Sequence, residues 1–446
     1  MPNGDLGIAH SGSDEPIMLP KSDLYAQMTT HGEKLKQLPT FKMTLSQLLD
    51  ESRVTPRSVS GDLDISITGI QHDSREVSPG NLFICCLGSK TDGHIYITEA
   101  IERGASAVLA DKEIKLEESS ECTAVIIVED TSSVLPLLAA TFYHHPSKSL
   151  SVVGITGTNG KTTTTHLIKS IMDAMGSRTG MLGTLGYFIP GENQMEEAPN
   201  TTPNALSMQK LMAKMVHNGA DAVVMEASSH GLALGRCDEI DFNVAVFSNL
   251  TRDHLDFHVT EEEYRKSKGK LFARMVDPEK HRKVVNLDDP SAHYFMAQGN
   301  AEVPVVTFAM ENKEADVKPL KFEFSLFRTK VWVDTPKGVL EITSQLVGRY
   351  NVYNLLAAVA VGIAVGAPLE SIVRGIEGMK GVPGRCELID EGQGFAVIVD
   401  YAHTPDALSR LIDAVKELNP RRIITGMFFA LQTLFPYAMF WHDKNR

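Results

Sequence analysis

The sequence predicts an α/β protein of three domains: a small α/β N-terminal domain, a central parallel-sheet domain with a phosphate loop, and an incomplete Rossmann-like C-terminal domain. Three observations predict it. Between residues 149 and 382, short apolar runs alternate with helical patterns, the pattern of a mostly parallel sheet covered on both faces. Residues 154–163, GITGTNGKTT, set a Gly-rich turn between such a run and a Lys-Thr-Thr that opens a helix. A Gly-Val-Pro-Gly turn at 381–384 then precedes one further strand–helix–strand pattern.

Residues 1–40 are polar and aperiodic, and read as a disordered leader. They lack the Arg-rich, acid-poor composition of an organelle transit peptide. The N-terminal domain spans 41–148. Thr44 caps a short helix over 44–50. Strands follow at 65–70 and 82–87, a helix at 98–104, strands at 107–110 and 124–128, and a helix at 132–143. Pro146 marks the boundary.

In the central domain, 149–382, strands are expected at 152–156, 222–226, 244–248, 283–287 and 305–309, with helices between. Residues 318–343 alternate around Thr335-Pro-Lys-Gly and predict a hairpin appended to the sheet. Residues 351–365, rich in Ala and Val, predict a helix buried all round. The third segment, 383–425, holds a strand at 396–400, a helix at 405–418 and a strand at 422–425. Beyond it, six aromatics fall between Phe428 and Trp441, against 7% overall, so 426–446 reads as an atypical tail without a clear period. One βαβ unit is too small to bury a core of its own.

Bulk properties exclude several classes. The 446 residues suit two or three domains, with 43% hydrophobic and 22% charged residues, as in soluble globular proteins. A net charge of −13 argues against non-specific nucleic-acid binding. Five scattered cysteines without a C-x-x-C argue for reduced thiols and against a zinc site or disulfide scaffold. No run of 18 apolar residues predicts a membrane span.

The chemistry concentrates after strands. In the Gly-rich turn, Gly157 and Gly160 free backbone N–H groups to face an anion at a helix N-terminus. Lys161 would reach the outer phosphates and the Thr162 hydroxyl would ligate Mg²⁺. The loop is shorter than the usual form, with Ile155 where the first glycine should fall; a plain βα turn with a surface lysine is the alternative. Glu226 ends an apolar strand, the edge where open α/β sheets bind ligands, and suits a second element for the same Mg²⁺; it could equally be a solvated strand-end glutamate. Ser228 and His230 follow it on a loop. NLTRDHLDFH at 249–258 places His254 and His258 at a metal-like spacing, yet without the partners of a zinc site; a single histidine beside carboxylates suits Mg²⁺ better, and a charged surface loop is the alternative. Asn200-Thr-Thr-Pro203 and Asp400-Tyr-Ala-His-Thr-Pro405 each precede a helix and could be simple caps. Gly384-Arg385 could place a guanidinium on a phosphate or form an interdomain turn.

Together, GTNGKTT, NTTP, MEASSHGLALGR, NLTRDHLDFH, GRYNVYNLLAA, VPGRCE and DYAHTPDAL resemble, in order, the Mur ligase family, over about 41–425. Within it the likeness is to members that add the third residue of the peptidoglycan stem peptide. HDSREV and LGSKTDGH are similar to the plant and cyanobacterial branch, which implies a plastid setting, with the cytoplasm as the alternative. The resemblance implies ATP binding by Gly157, Thr158, Asn159, Gly160, Lys161, Thr162 and Thr163, with Asn351, Arg385 and Asp400 also on the nucleotide. It implies one Mg²⁺ on Thr162 and Glu226, and another on Glu226, His254 and a carbamylated Lys268 in the pattern Tyr264-x-x-x-Lys268. Ser74 and Ser89-Lys90-Thr91 match the pocket for a UDP-sugar. Asn200, Thr201, Thr202, Ser228 and Arg236 match contacts to the rest of that substrate. Leu234 departs from the glutamine of some members, and no contact is carried over there.

The implied activity is ATP-dependent ligation of meso-diaminopimelate to UDP-N-acetylmuramoyl-L-alanyl-D-glutamate through an acyl phosphate, with Lys161, Glu226, His254 and Lys268 as the catalytic set. A monomer is expected, with no nucleic-acid or membrane partner. Residues 426–446 depart from the family pattern, so an incomplete third domain is expected to bind UDP-substrate and ATP better than it ligates. The competing readings are a non-catalytic plastid scaffold that keeps the fold, and a folylpolyglutamate synthase relative that shares the loop.

Overall fold

In a computed structural model of the chain, the described residues are 40–88, 91–114, 122, 124–325, 327–403, 405–417, 420–429 and 436–443. The expected leader, apart from Thr40, lies outside them, as do Ser89 and Lys90.

The N-terminal sheet has five strands in the order Ser58–Gly61, Ala124–Ile127, Ala105–Ala110, Asn81–Ile84, Gly69–Gln71. All pairings are parallel except that of Ser58–Gly61. Thr44 caps helix Leu45–Ser52 in a capping box with Gln47. That helix and Thr131–Phe142 bury one face of the sheet, and Ile97 and Ala100 of Ile97–Glu102 bury the other. The strand Ser58–Gly61 escapes sequence reasoning because all four residues are exposed and carry no alternation.

The central sheet has seven strands in the order Gly186–Phe188, Thr179–Gly183, Ala222–Glu226, Ser151–Thr156, Val244–Phe247, Arg282–Asn286, Val305–Phe308. Only Gly186–Phe188 is antiparallel to its neighbour. Successive strand residues point to opposite faces. Val153 and Ile155 therefore pack with Leu167, Ile171 and Leu355 from helices Lys161–Ala174 and Arg349–Ala364. Val152 packs instead with Met208, Leu271 and Phe272 from Ala205–His217 and Glu261–Ala273. Both faces are buried, which is why these strands read as unbroken apolar runs. The chain crosses over the central strand Ser151–Thr156 between its two neighbours, so a crevice opens at the carboxyl ends of three strands.

Two elements differ from the sequence-based expectation. Residues 318–343 are not a hairpin on the main sheet. Lys318–Phe324, Thr329–Thr335 and Gly338–Ser344 form a separate antiparallel sheet, linked by one bridge between Phe308 and Val317. Its alternating Val331, Val333, Leu340 and Ile342 turn inward onto the apolar helix Arg349–Ala364, which a single main-sheet edge could not bury. In the third unit, Phe395–Asp400, helix Pro405–Glu417 and Ile424–Phe429 form the expected βαβ, but the two strands do not pair. Pro436–Asp443, from the segment expected to be aperiodic, lies between them and runs antiparallel to both. Pro436 stands at its first position, where a missing N–H is tolerated.

Candidate active site

The phosphate loop is shaped by its neighbours before any ligand is considered. Gly157 has φ 149° and Gly160 φ 86°. A Cβ at Gly157 would lie 1.9 Å from Ser248 Oγ, and one at Gly160 2.3 Å from Asn354 Oδ1, so both positions require glycine. The exit of strand Val244–Phe247 grips the loop. Asn159 N–H donates to Asn249 Oδ1 at 2.9 Å, and Asn159 O accepts from Ser248 Oγ at 2.8 Å and Asn249 Nδ2 at 3.0 Å. Thr158 Oγ1 bonds Thr251 O at 3.1 Å and lies 3.0 Å from the Tyr264 hydroxyl.

Two lysines converge behind the loop. Lys161 Nζ donates to Gly157 O at 3.0 Å and Thr158 O at 2.9 Å. Lys268 Nζ, from helix Glu261–Ala273, donates to the same Gly157 O at 2.7 Å and lies 4.3 Å over the Tyr264 ring. Lys268 is 1% exposed, and burial, then the Lys161 charge, hold its ammonium well below the ordinary lysine range. Burial lowers Lys161 as well.

In front of the loop, Glu226 is buried and stands level with Ile155 across the strand pair. Its Oε2 accepts from Thr162 Oγ1 at 3.1 Å and Thr184 Oγ1 at 3.2 Å, and Oε1 from Thr184 N–H at 2.8 Å. A buried carboxylate beside a hydroxyl, all oxygen, is a donor set that fits a hard divalent cation. His254 sits at φ 51°, with its side chain 45% exposed and its Nε2 3.4 Å from Asp253 Oδ2. Its ring packs 4.8 Å from that of His230, which also lies 5.4 Å from His258. His258 is buried, with Nδ1 3.3 Å from Ser267 Oγ. Burial, then the charges of His254 and His258, push His230 down to about 4. Among the described residues, no three His, Cys, Asp or Glu side chains are grouped to hold a metal unaided.

The loop from Asn200 to Thr202 does not cap the next helix. Asn204 does, accepting Ser207 N–H at 2.8 Å, and the helix begins at Ala205. Thr202 Oγ1 instead donates to Glu226 O at 2.8 Å and accepts from Ser228 N–H at 3.0 Å, and Arg236 Nη1 donates to Thr202 O at 2.9 Å. Thr201 Oγ1 lies 3.1 Å from Thr184 Oγ1, and Asn200 stays exposed. Across the cleft, Arg385 stacks 4.6 Å over Tyr401, and Asp400 accepts from Cys386 N–H at 2.6 Å and Ala402 N–H at 2.7 Å. Burial raises the Asp400 carboxyl.

These groups face one cleft of about 490 Å³. Residues 158–163, Asn200, Thr201, Glu226, Ser228, Arg236, His254, Arg385 and Asp400 line it. Lys268 and Thr202 stand behind its wall. Asn351 is also behind it: its Oδ1 accepts from Asn354 Nδ2 at 2.9 Å, and Asn354 reaches the cleft in its place. Ser74 and Thr91 lie apart in the N-terminal unit, Ser74 buried with Oγ on Glu99 Oε2 at 2.8 Å and Thr91 exposed. Sequence reasoning missed Thr184, Asn354 and Asp253. The strand before Thr184 is glycine-rich and gave no strand signal; Asn354 was legible only as the i+3 partner of Asn351 on a helix.

The Mur ligase middle domain matches residues 155–362, the Mur ligase family catalytic domain 66–143, and the Mur ligase glutamate ligase domain 384–433. An Arabidopsis thaliana protein, the chloroplastic UDP-N-acetylmuramoyl-L-alanyl-D-glutamate–2,6-diaminopimelate ligase MurE homolog, is 64% identical over 87% of this chain and 50% of its own length. The chain thus spans about half the length of that plant relative, and 55% of its rice counterpart. The Bacillus licheniformis UDP-N-acetylmuramoyl-L-alanyl-D-glutamate–2,6-diaminopimelate ligase is 43% identical over 85% of this chain and 77% of its own. A solved structure of a ligase of that name superposes with a TM-score of 0.69 at 28% identity, over 84% of this chain and 74% of the other. Sequence and fold agree along nearly the whole described chain, and the protein belongs to the Mur ligase family.

Proposed function

We propose that the chain is an ATP-dependent amide ligase that joins meso-diaminopimelate to UDP-N-acetylmuramoyl-L-alanyl-D-glutamate, and that it works in the plastid. The observation that carries this is Glu226. A buried carboxylate hydrogen-bonded to the phosphate-loop Thr162 opens onto the same cleft as Ser228, Arg236 and Arg385. The names of the plant and bacterial relatives support the substrates, and the plant ones the compartment.

In this reading, residues 157–163 cradle the ATP phosphates, and Lys161 leaves the Gly157 and Thr158 carbonyls for the outer phosphate. Thr162 and Glu226 would hold Mg²⁺, which when bound neutralises charge on the transferring phosphoryl group. Asn200, Thr201, Ser228 and Arg236 hold the peptide so that its carboxylate faces that phosphoryl group; Arg385 and Asp400, from the third unit, close on the nucleotide and exclude water. The carboxylate attacks, giving acyl phosphate and ADP; the incoming amine attacks in turn, releasing phosphate. Ser74, Ser89, Lys90 and Thr91 take the UDP end. Lys268 serves as a carbamate: its depressed basicity favours the neutral amine, whose lone pair adds to CO₂ with loss of a proton. The carboxylate so made, with Glu226 and His254, would hold a second Mg²⁺. The domain limits 41–148, 149–382 and 383–425 belong to the same proposal.

The test is ADP release by the purified chain with each substrate alone and with both. Release that requires the UDP-dipeptide, and turns over only with diaminopimelate, is expected. Release indifferent to both overturns the proposal.

A further inference from the structure

Outside the cleft, the N-terminal unit holds a compact polar cluster at the carboxyl end of its sheet. Asp92 Oδ1 lies 2.5 Å from His94 Nδ1 and accepts His94 N–H at 3.0 Å. Asp92 Oδ2 accepts Lys112 Nζ at 2.6 Å. On the other side of the ring, His94 Nε2 lies 3.2 Å from Asp111 Oδ1. The His94 side chain is 12% exposed. Both ring nitrogens thus face a carboxylate, but only Nδ1 is hydrogen-bonded, since His94 Nε2 and Asp111 Oδ1 are buried without a hydrogen-bond partner. Asp111 directly follows strand Ala105–Ala110. Asp92 closes a turn, through an antiparallel bridge to Leu87 and a bond from Gly88 N–H to Thr91 O at 2.9 Å.

The same short stretch also controls Ser74. The turn Gly93–Tyr96 runs straight into helix Ile97–Glu102. Glu99 on that helix accepts from Ser74 Oγ at 2.8 Å and from Arg103 Nε at 3.2 Å, while Arg103 Nη1 donates to Arg75 O at 3.3 Å. Gly93 sits flat on the Cys85–Cys86 backbone: a Cβ there would lie 2.8 Å from Cys86 O. Residues 93–102 are therefore one bracket. Thr91 hangs at one end, adjoining Asp92, and Ser74 is bonded near the other. Buried Ile97 and Ala100 seat the helical part of the bracket on the sheet, and the Gly93 N–H bond to Cys86 O holds its start, which leaves the Thr91 end as the part still to be fixed. The Asp92–His94 hydrogen bond, with Lys112 on the other Asp92 oxygen and Asp111 Oδ1 3.2 Å from His94 Nε2, holds that end against the sheet.

We infer that His94 is a positioning residue for the nucleotide-sugar substrate, fixing the bracket that carries Thr91 and Ser74 at a set distance from the sheet. This rests on the proposal that those residues meet the UDP end. His94 itself does not touch the substrate. Its role is to make the pocket preformed, so that binding does not have to order the turn.

The test measures affinity for UDP-N-acetylmuramoyl-L-alanyl-D-glutamate and, separately, for ATP, by calorimetry on the full chain. His94→Ala is expected to weaken the UDP-dipeptide about tenfold, the equivalent of one charge-assisted hydrogen bond. ATP affinity and the thermal midpoint should stay near wild type. His94→Asn, which reaches Asp92 only, and His94→Gln, which reaches Asp111 only, should fall between. Unchanged UDP-dipeptide affinity in His94→Ala overturns the inference while leaving the proposed function standing. Equal losses for UDP-dipeptide and ATP, in Ala and in the two conservative variants alike, make His94 a general fold residue and also overturn it. A wild-type chain that binds ATP but no UDP-dipeptide removes the functional proposal, and this inference with it.

Discussion

Lys161 and Lys268 donate to one carbonyl oxygen, that of Gly157, at 3.0 and 2.7 Å. Two ammonium groups on one acceptor would repel each other, and Lys268 is buried with no carboxylate at ion-pair distance among the described residues. The arrangement suits a site in which Lys161 moves outward to an anion and Lys268 gives up its charge.

Lys268 should therefore make stability depend on pH. Its folded value lies below its unfolded one, so the unfolded state binds more protons between the two. Stability contributed at this site rises with pH across that window and is lowest below it. Lys268→Met should flatten the slope of urea-unfolding stability on the alkaline side of neutrality and remove most turnover. An unchanged slope, measured with CO₂ excluded, would mean that the free Lys268 amine is not held below the ordinary lysine range.

Thr162 and Glu226 act as a pair. Thr162→Val and Glu226→Gln should each lower kcat/KM on the order of 100-fold, while the fold, read by circular dichroism, persists. Thr162→Ser keeps the hydroxyl and should retain most activity. Loss in Ser as large as in Val would point to packing rather than to ligation.

The glycine positions can be separated by what surrounds them. At Gly157 a methyl meets Ser248 Oγ at 1.9 Å with φ at 149°. Gly157→Ala should destabilise the chain by roughly 2–3 kcal/mol. In the double variant Gly157→Ala/Ser248→Gly the clash is relieved and part of that loss should return, measured by denaturant unfolding.

His230 is held at about 4, below the usual histidine value of 6.5, by burial and by the His254 and His258 charges. Its imidazole should be neutral throughout the working range. Because the folded value is the lower one, stability falls as pH drops from about 6.5 towards 4. NMR titration of the ring should show this, and His230→Asn should reduce the acid sensitivity. A ring titrating near 6.5 would contradict the packing described.

The sheet that builds the cleft was legible because its strands are buried on both faces. Val152 and Val153 face opposite cores, so the run is apolar throughout and ends in a Gly-rich turn. Thr179–Gly183 was not legible: Gly180 and Gly183 are small to admit Met215 and Glu226, a reason that lies in the partners and not in the run itself. The same holds for Asn351 and Asn354. Both read as polar residues on a helix, and only the packing of that helix decides which one meets the cleft. The cap at Asn204 was not legible because Asn200, Thr201 and Thr202 are also cap-forming types, and only the tertiary bonds of Thr202 to Ser228 and Glu226 remove it from that role.

The proposed function requires one cleft to join phosphoryl transfer to a carboxylate of the UDP-dipeptide. The most direct measurement is single-turnover ADP formation by the purified chain, with ATP and Mg²⁺, in the presence and absence of UDP-N-acetylmuramoyl-L-alanyl-D-glutamate. ADP is expected only when the dipeptide is present, and its formation is expected to be abolished in Glu226→Gln. ADP formed at the same rate without the dipeptide, or at the same rate in Glu226→Gln, would contradict it.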